Sequence, residues 1–204
     1  MKLRSLDSPG RGSLKAVGLH RVEVEGSAFY ISTAMLEIKG RLRISDLMKL
    51  VSDLELGGVR VVAVNPSYLV GEAHLATAVE YALRAFKRGV NAARSFHVEV
   101  MLFAAATHEI SKAIPIFKPT EGLGKIAVAC VSRDAVAAEE AVAEMAARLE
   151  ARVLPLSCSE IAAKRLVEAL SIKTSEVKAT YSESFCEAVE KLILSRMALE
   201  YISR

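Results

Sequence analysis

The sequence predicts an α/β (α+β) fold, a mixed β-sheet packed with helices in a single domain that ends on a helix. Short β-branched runs such as Val59–Val64 and Lys125–Val131 alternate with amphipathic helical segments. The clearest helix, Gly71–Arg88, places Leu75, Ala78, Val79, Ala82, Leu83 and Phe86 on one stripe and stops at Gly89. Apolar residues form 52% of the 204, enough to fill the core of one ordinary domain.

Residues 1–15 hold Pro9, Gly10, Gly12 and several serines and basic residues, so they are expected to form a flexible N-terminus ahead of one domain spanning 16–204. Val17–Val24 sets His20, Arg21 and Glu23 among apolar residues and reads as a strand, with Ala28–Ile31 returning across Gly26-Ser27. Ser45 is the expected N-cap of a helix Asp46–Leu54, in which Leu47, Leu50, Val51 and Leu54 recur at helical spacing, and Gly57-Gly58 ends it. Val59–Val64 is a buried-type strand. Past the long helix, Phe96–Ala104 reads as a strand and His108–Phe117 as a helix that Pro115 kinks or shortens. Lys125–Val131 is another strand, Asp134 caps a helix to about Leu149, Arg152–Leu156 is a short strand and Ser159–Leu170 a helix. The polar stretch Ser171–Thr180 leads into the last helix, residues 182–202.

Composition narrows the function classes. The apolar runs fall far short of the ~20 residues that cross a bilayer, and no apolar signal region follows the basic N-terminal residues, so a cytoplasmic protein with no membrane partner is expected. Cys130, Cys158 and Cys186 lie far apart and are odd in number, which argues against a complete disulfide framework; they are expected to be small buried hydrophobes. A net charge of +3 does not announce a nucleic-acid binder, so any such contact must come from a local patch.

Catalytic signatures are missing. Glu121-Gly122-Leu123-Gly124-Lys125 precedes a strand and lacks the Gly-Lys-Ser/Thr step of a phosphate loop, so it reads as a turn. His20, His74, His97 and His108 have no ligand spacing, and no Gly-x-Ser-x-Gly frame offers a nucleophile. No enzyme activity, cofactor or metal is expected. The alternative is a small α/β enzyme or nucleotide-binding module with its ligand near the ends of Val59–Val64 and Lys125–Val131.

Two features point to binding. Arg84, Lys87 and Arg88 crowd the end of the long helix, with Asn91, Arg94 and Ser95 just beyond; the two readings are cations placed there by the helix dipole alone and a phosphate-contacting cradle with Asn91 and Ser95 as neutral donors. In the last helix, Leu194, Met197, Ala198, Leu199, Tyr201 and Ile202 spread around the whole circumference, the pattern of an exposed apolar interaction surface or of a helix buried between layers.

A resemblance joins these features. Its residues are Asn65-Pro66, then Ala73, Ala76 and Ala82 before Lys87 and Gly89, Arg94-Ser95, Glu99, Ile110 with Ala113 and Phe117, and Glu187-Ala188-Val189 followed by Ile193-Leu194-Ser195-Arg196-Met197. In that order they resemble the small kinase-binding subunit of the KEOPS complex, which installs threonylcarbamoyladenosine on transfer RNA in archaea and the eukaryotic cytosol. The resemblance implies a non-catalytic subunit that docks on a small atypical kinase acting as an ATPase, stimulates it, and helps recruit tRNA by its single-stranded CCA end, serving the threonylcarbamoyl transferase subunit indirectly. It implies kinase binding through Val189, Ile193, Leu194, Met197, Ala198 and Tyr201, and RNA binding through Arg84, Lys87, Arg88, Asn91, Arg94 and Ser95. One departure is Ala104-Ala105-Ala106-Thr107, mostly apolar where many members carry a Ser-Gly-Gln-like step.

Overall fold

Period-two alternation in three strands sorts the core into two layers. In β2 (Ser27–Ile38) Ile31 faces one helical layer while Ala34 and Leu36 face the other. β3 (Arg60–Val64) divides into Val62 and Val64 against Val61 and Ala63 in the same way, and β4 (Lys125–Ser132) into Ala127, Ala129 and Val131 against Ile126, Val128 and Cys130. Both faces are apolar because both are covered, so these strands lack the polar alternation of a sheet with one wet face.

The computed structural model describes residues 17–204; the expected flexible segment 1–15 lies outside them. The strands run in the order β1 (Gly18–Val24), β2, β4, β3, and β5 (Ala151–Leu154) pairs with the Met35–Ile38 half of β2. Where the sequence allows a mixed sheet, every pairing among the described residues is antiparallel. β2 and β3 still run the same way, because α1 (Ile44–Leu56) carries the chain across and β4 enters between them, a split crossover. α1 and α5 (Ala135–Arg148) cover one face. The other face carries α2 (Glu72–Arg88), α3 (Phe96–Ala104), α4 (Ile110–Phe117), α6 (Glu160–Ala169), α7 (Thr174–Ala179) and α8 (Phe185–Ile202).

Several expectations need correction. Phe96–Ala104 is a helix, not a strand: Phe96 and Glu99 to Ala104 are all buried, so no polar face reveals the helical period. The N-cap of α1 is Arg43 rather than Ser45, and Glu121 from the glycine turn accepts from the Ile44 N–H at 3.0 Å. β2 extends seven residues past Ile31 because β4 and β5 bond its second half on either side. Within Ser171–Thr180 the short α7 forms, its Glu176 accepting from the Lys173 N–H and pairing with Arg196 of α8. Cys158 and Cys186 form a disulfide that ties the β5–α6 connection to the first turn of α8, so only Cys130 is the expected buried thiol, pushed up to about 12 by burial. A bridge across 28 residues restricts the unfolded chain by about 3–4 kcal/mol in the loop-entropy account.

Asn65-Pro66 has a structural role. The Asn65 side chain accepts from Ser67 N–H at 3.0 Å to cap the 3-10 turn Pro66–Tyr68, and its own N–H donates to Phe117 O at 2.8 Å, tying the end of β3 to the end of α4.

His74 is a satisfied core histidine. Its Nε2 lies 2.9 Å from the Ala104 carbonyl, which can only accept, so Nε2 donates and Nδ1 accepts from Val70 N–H at 3.3 Å. Burial lowers its pKa from 6.5 to about 4, against a weaker raising pull from Ala104 O. Between those values the unfolded chain binds more protons, so stability is full above about pH 6.5 and falls by on the order of 3 kcal/mol as the pH drops to about 4. His97, lowered by burial, adds in the same direction. The urea midpoint should drop from about pH 7 to about pH 5, and His74→Gln should flatten that slope; an unchanged slope in the variant refutes the assignment.

Candidate partner and nucleic-acid interfaces

α8 begins on a built cap. Ser184 accepts from Glu187 N–H at 3.2 Å, and the Glu187 carboxylate accepts from Glu183 N–H at 2.7 Å and pairs with Lys191 at 2.6 Å. The Lys191 ammonium, with the backbone N–H groups of Glu183 and Ser184, holds the Glu187 carboxyl below the usual carboxylate range. From there Val189, Ile193 and Met197 recur every fourth residue, each fully buried in the core shared with α2 and α3. This corrects the expectation of direct kinase contacts at those three positions, and of exposure at Met197, since their side chains are covered within the chain itself. Leu194, Ala198 and Tyr201 are half-buried on the flank. What faces outward is Leu199 at 67% and Ile202 at 78% exposure, with half-buried Leu192 about two turns before Leu199 on the same stripe.

Tyr201 links this helix end to the basic region. Its ring stacks on Tyr81 of α2 with centroids 5.0 Å apart, and the Arg88 guanidinium lies 5.5 Å from its centroid. Beside it, fully buried Glu99 accepts from Ala92 N–H at 3.2 Å and Ala93 N–H at 2.7 Å, and pairs with Arg204. The Arg204 guanidinium rests 4.1 Å over Phe103.

The six basic and polar residues predicted at the end of α2 and just beyond it divide into two groups. Gly89, at φ 68°, takes the left-handed turn that closes the helix. Arg84 pairs with Glu80 at 2.6 Å, Arg88 with Glu25 at 3.0 Å, and the Asn91 amide donates to Ala93 O at 2.9 Å. Lys87, Arg94 and Ser95 instead line two adjoining clefts of about 450 and 490 Å³, which share Gly58, Arg60 and Phe86. Arg133 and Phe29 close the first cleft, while Phe96 and Glu55 lie in the second. Arg60, Arg133 and Phe29 are cleft residues that the sequence does not single out. Arg60 opens β3 opposite Val131 and Arg133 follows the last residue of β4, so only the strand register brings them together.

Among the described residues, no group of three His, Cys, Asp or Glu side chains is placed to hold a metal ion, and no helix is long and apolar enough to cross a membrane. The glycine turn positions Glu121 against α1, and Lys125 pairs with Glu37 at 2.9 Å.

A family model described as kinase binding protein CGI-121 matches residues 44–201. The chain belongs to the CGI-121 kinase-binding family. A search of curated proteins returns no match. In this CGI-121 member the matched stretch runs from the first residue of α1 to Tyr201, taking in Lys87, Arg94, Arg60, Arg133 and Leu199 and leaving out Phe29 and Ile202. Binding to a kinase is therefore the activity that the family's description gives.

Proposed function

We propose that the chain is the non-catalytic regulatory subunit of a KEOPS-type tRNA threonylcarbamoyladenosine complex. It binds and stimulates a small atypical kinase that works as an ATPase, and it helps recruit tRNA by the CCA end. The observation that carries this reading is an outward apolar pair, Leu199 and Ile202, at the end of the last helix of a kinase-binding family member. Buried Val189, Ile193 and Met197 hold that helix in place, while Leu194, Ala198 and Tyr201 form the flank of the contact. The RNA part rests on Lys87, Arg94 and Ser95, whose side chains line open clefts, with Arg84, Arg88 and Asn91 supporting the local backbone and charge.

The purified chain should co-elute with the small kinase of such a complex, raise its ATP hydrolysis, and retain tRNA more tightly than the same tRNA trimmed of CCA. Separate elution with unchanged hydrolysis overturns the kinase part. Equal retention of trimmed and whole tRNA overturns the CCA part.

A further inference from the structure

We infer that the cleft at the β3–β4 end of the sheet is a seat for unstacked bases of single-stranded RNA, with Arg60 and Arg133, neither of them in the cationic cluster after α2, as its principal phosphate and stacking contacts. The inference deepens the RNA part of the function proposed above and rests on it.

Three observations converge. The first is uncompensated charge: among the described residues Arg60, Lys87, Arg94 and Arg133 form no ion pair, although Arg84 and Arg88 a turn away each hold a carboxylate. Four exposed cations around one concavity repel one another unless an anion enters, and a polyanion of closely spaced phosphates answers all four. The second is the composition of the walls. Phe29, Phe86 and Phe96 are three of the six phenylalanines in the chain, and all three line this one concavity. Phe86 and Phe96 meet edge to face at 5.7 Å; Phe96 is buried, whereas Phe29 and Phe86 are half-buried and keep part of their surface exposed.

The third is the arrangement of the guanidinium groups. Arg60 lies 4.6 Å over the Phe96 ring and Arg133 5.7 Å over the Phe29 ring. Each guanidinium thus lies near an aromatic ring while its side chain stays exposed, with N–H groups open to a phosphate and to a base. A duplex hides its base faces in its own stack and can offer only backbone, so these platforms favour a single strand. Glu55 adds one negative charge to the lining of the second cleft, and the backbone is expected to follow the four cations, Arg94 in the second cleft, Arg60 in both, and Lys87 and Arg133 in the first.

The test uses the full chain and a short, unstructured, fluorescently labelled RNA, followed by anisotropy across a salt series, with the same sequence in a duplex as comparison. Arg60→Ala with Arg133→Ala should weaken single-strand binding about tenfold or more and lower the slope of log K against log salt by roughly 1.4, about 0.7 for each phosphate no longer neutralised. Arg84→Ala with Arg88→Ala should change the slope little, because both side chains are already neutralised. Phe86→Leu reports stacking: it should weaken binding and leave the salt slope unchanged. If the wild-type chain binds single strands and the Arg60/Arg133 variant binds equally well with its melting temperature intact, the cleft inference fails and the broader RNA reading stands. If the wild-type chain binds no RNA, both fail. Equal affinity for duplex and single strand also overturns the inference.

Discussion

Leu199→Asp combined with Ile202→Asp is expected to abolish co-purification with the kinase while the melting temperature stays near that of the parent chain. Both side chains are mostly in water already, so charging them disturbs little in the monomer, within about 0.5 kcal/mol each. At an interface the same changes bury two carboxylates where apolar anchors should sit. Losing two such anchors costs on the order of 2 kcal/mol each, about a thousandfold in Kd together. Ile193→Asp and Met197→Asp provide the contrast. Both positions are fully buried, so each change places an unpaired charge in the core and should unfold the chain rather than free it from its partner. Loss of binding in the Ile193 or Met197 variants is therefore uninformative about docking unless their melts are shown to be normal. Retained co-purification by the Leu199/Ile202 variant, at parental stability, would exclude the end of α8 as the docking surface.

The difference between those positions marks the boundary of what the sequence makes legible. α2 and α8 announce themselves, the first by a clean stripe and a glycine stop, the second by its length, although it starts at Phe185 and not at 182. The buried strands β3 and β4 are readable as β-branched runs between turn signals. Periodicity fails where burial is uniform. α3 is covered by α2, α4, α8 and β3, so its residues carry no polar face, and Val98 and Val100 tip the local propensity toward a strand. The same uniformity hides which side of α8 is outward, since Met197 and Leu199 look alike in sequence and only the packing of α2 and α3 separates them. Register-dependent features are equally hidden. Arg60 and Arg133 are 73 residues apart, and Cys158 and Cys186 are 28 apart; neither meeting can be read from spacing. The basic residues after α2 are visible as a group, but their partners are not: Glu25, which neutralises Arg88, reaches it across 63 residues from the β1–β2 turn.

Glu99→Ala should lower the melting temperature by roughly 10 °C and loosen both surfaces at once. The Glu99 carboxylate is fully buried and serves three donors, the Ala92 and Ala93 N–H groups of the loop before α3 and the guanidinium of Arg204 beyond α8. Removing it leaves two backbone donors without an acceptor and a nearly buried cation with only Glu200 to pair with. Breaking a buried pair from one side costs about 3–5 kcal/mol; Arg204 sits past the helix end and can swing toward water, which favours the lower figure. For a chain of this length about 3 kcal/mol corresponds to that shift in melting temperature. The position also links two places that are far apart in sequence. Arg94 and Ser95 follow directly on the amides that Glu99 holds, and Arg204 anchors the turn carrying Ile202, so losing one carboxylate should speed hydrogen exchange in residues 91–95 and in the last turn of α8 together. Glu99→Gln keeps one acceptor oxygen and should recover part of the stability, with the loop amides protected better than the Arg204 end, since an amide cannot neutralise the guanidinium. A melt unchanged in Glu99→Ala, or exchange that rises at only one of the two places, would show that the carboxylate does not join them.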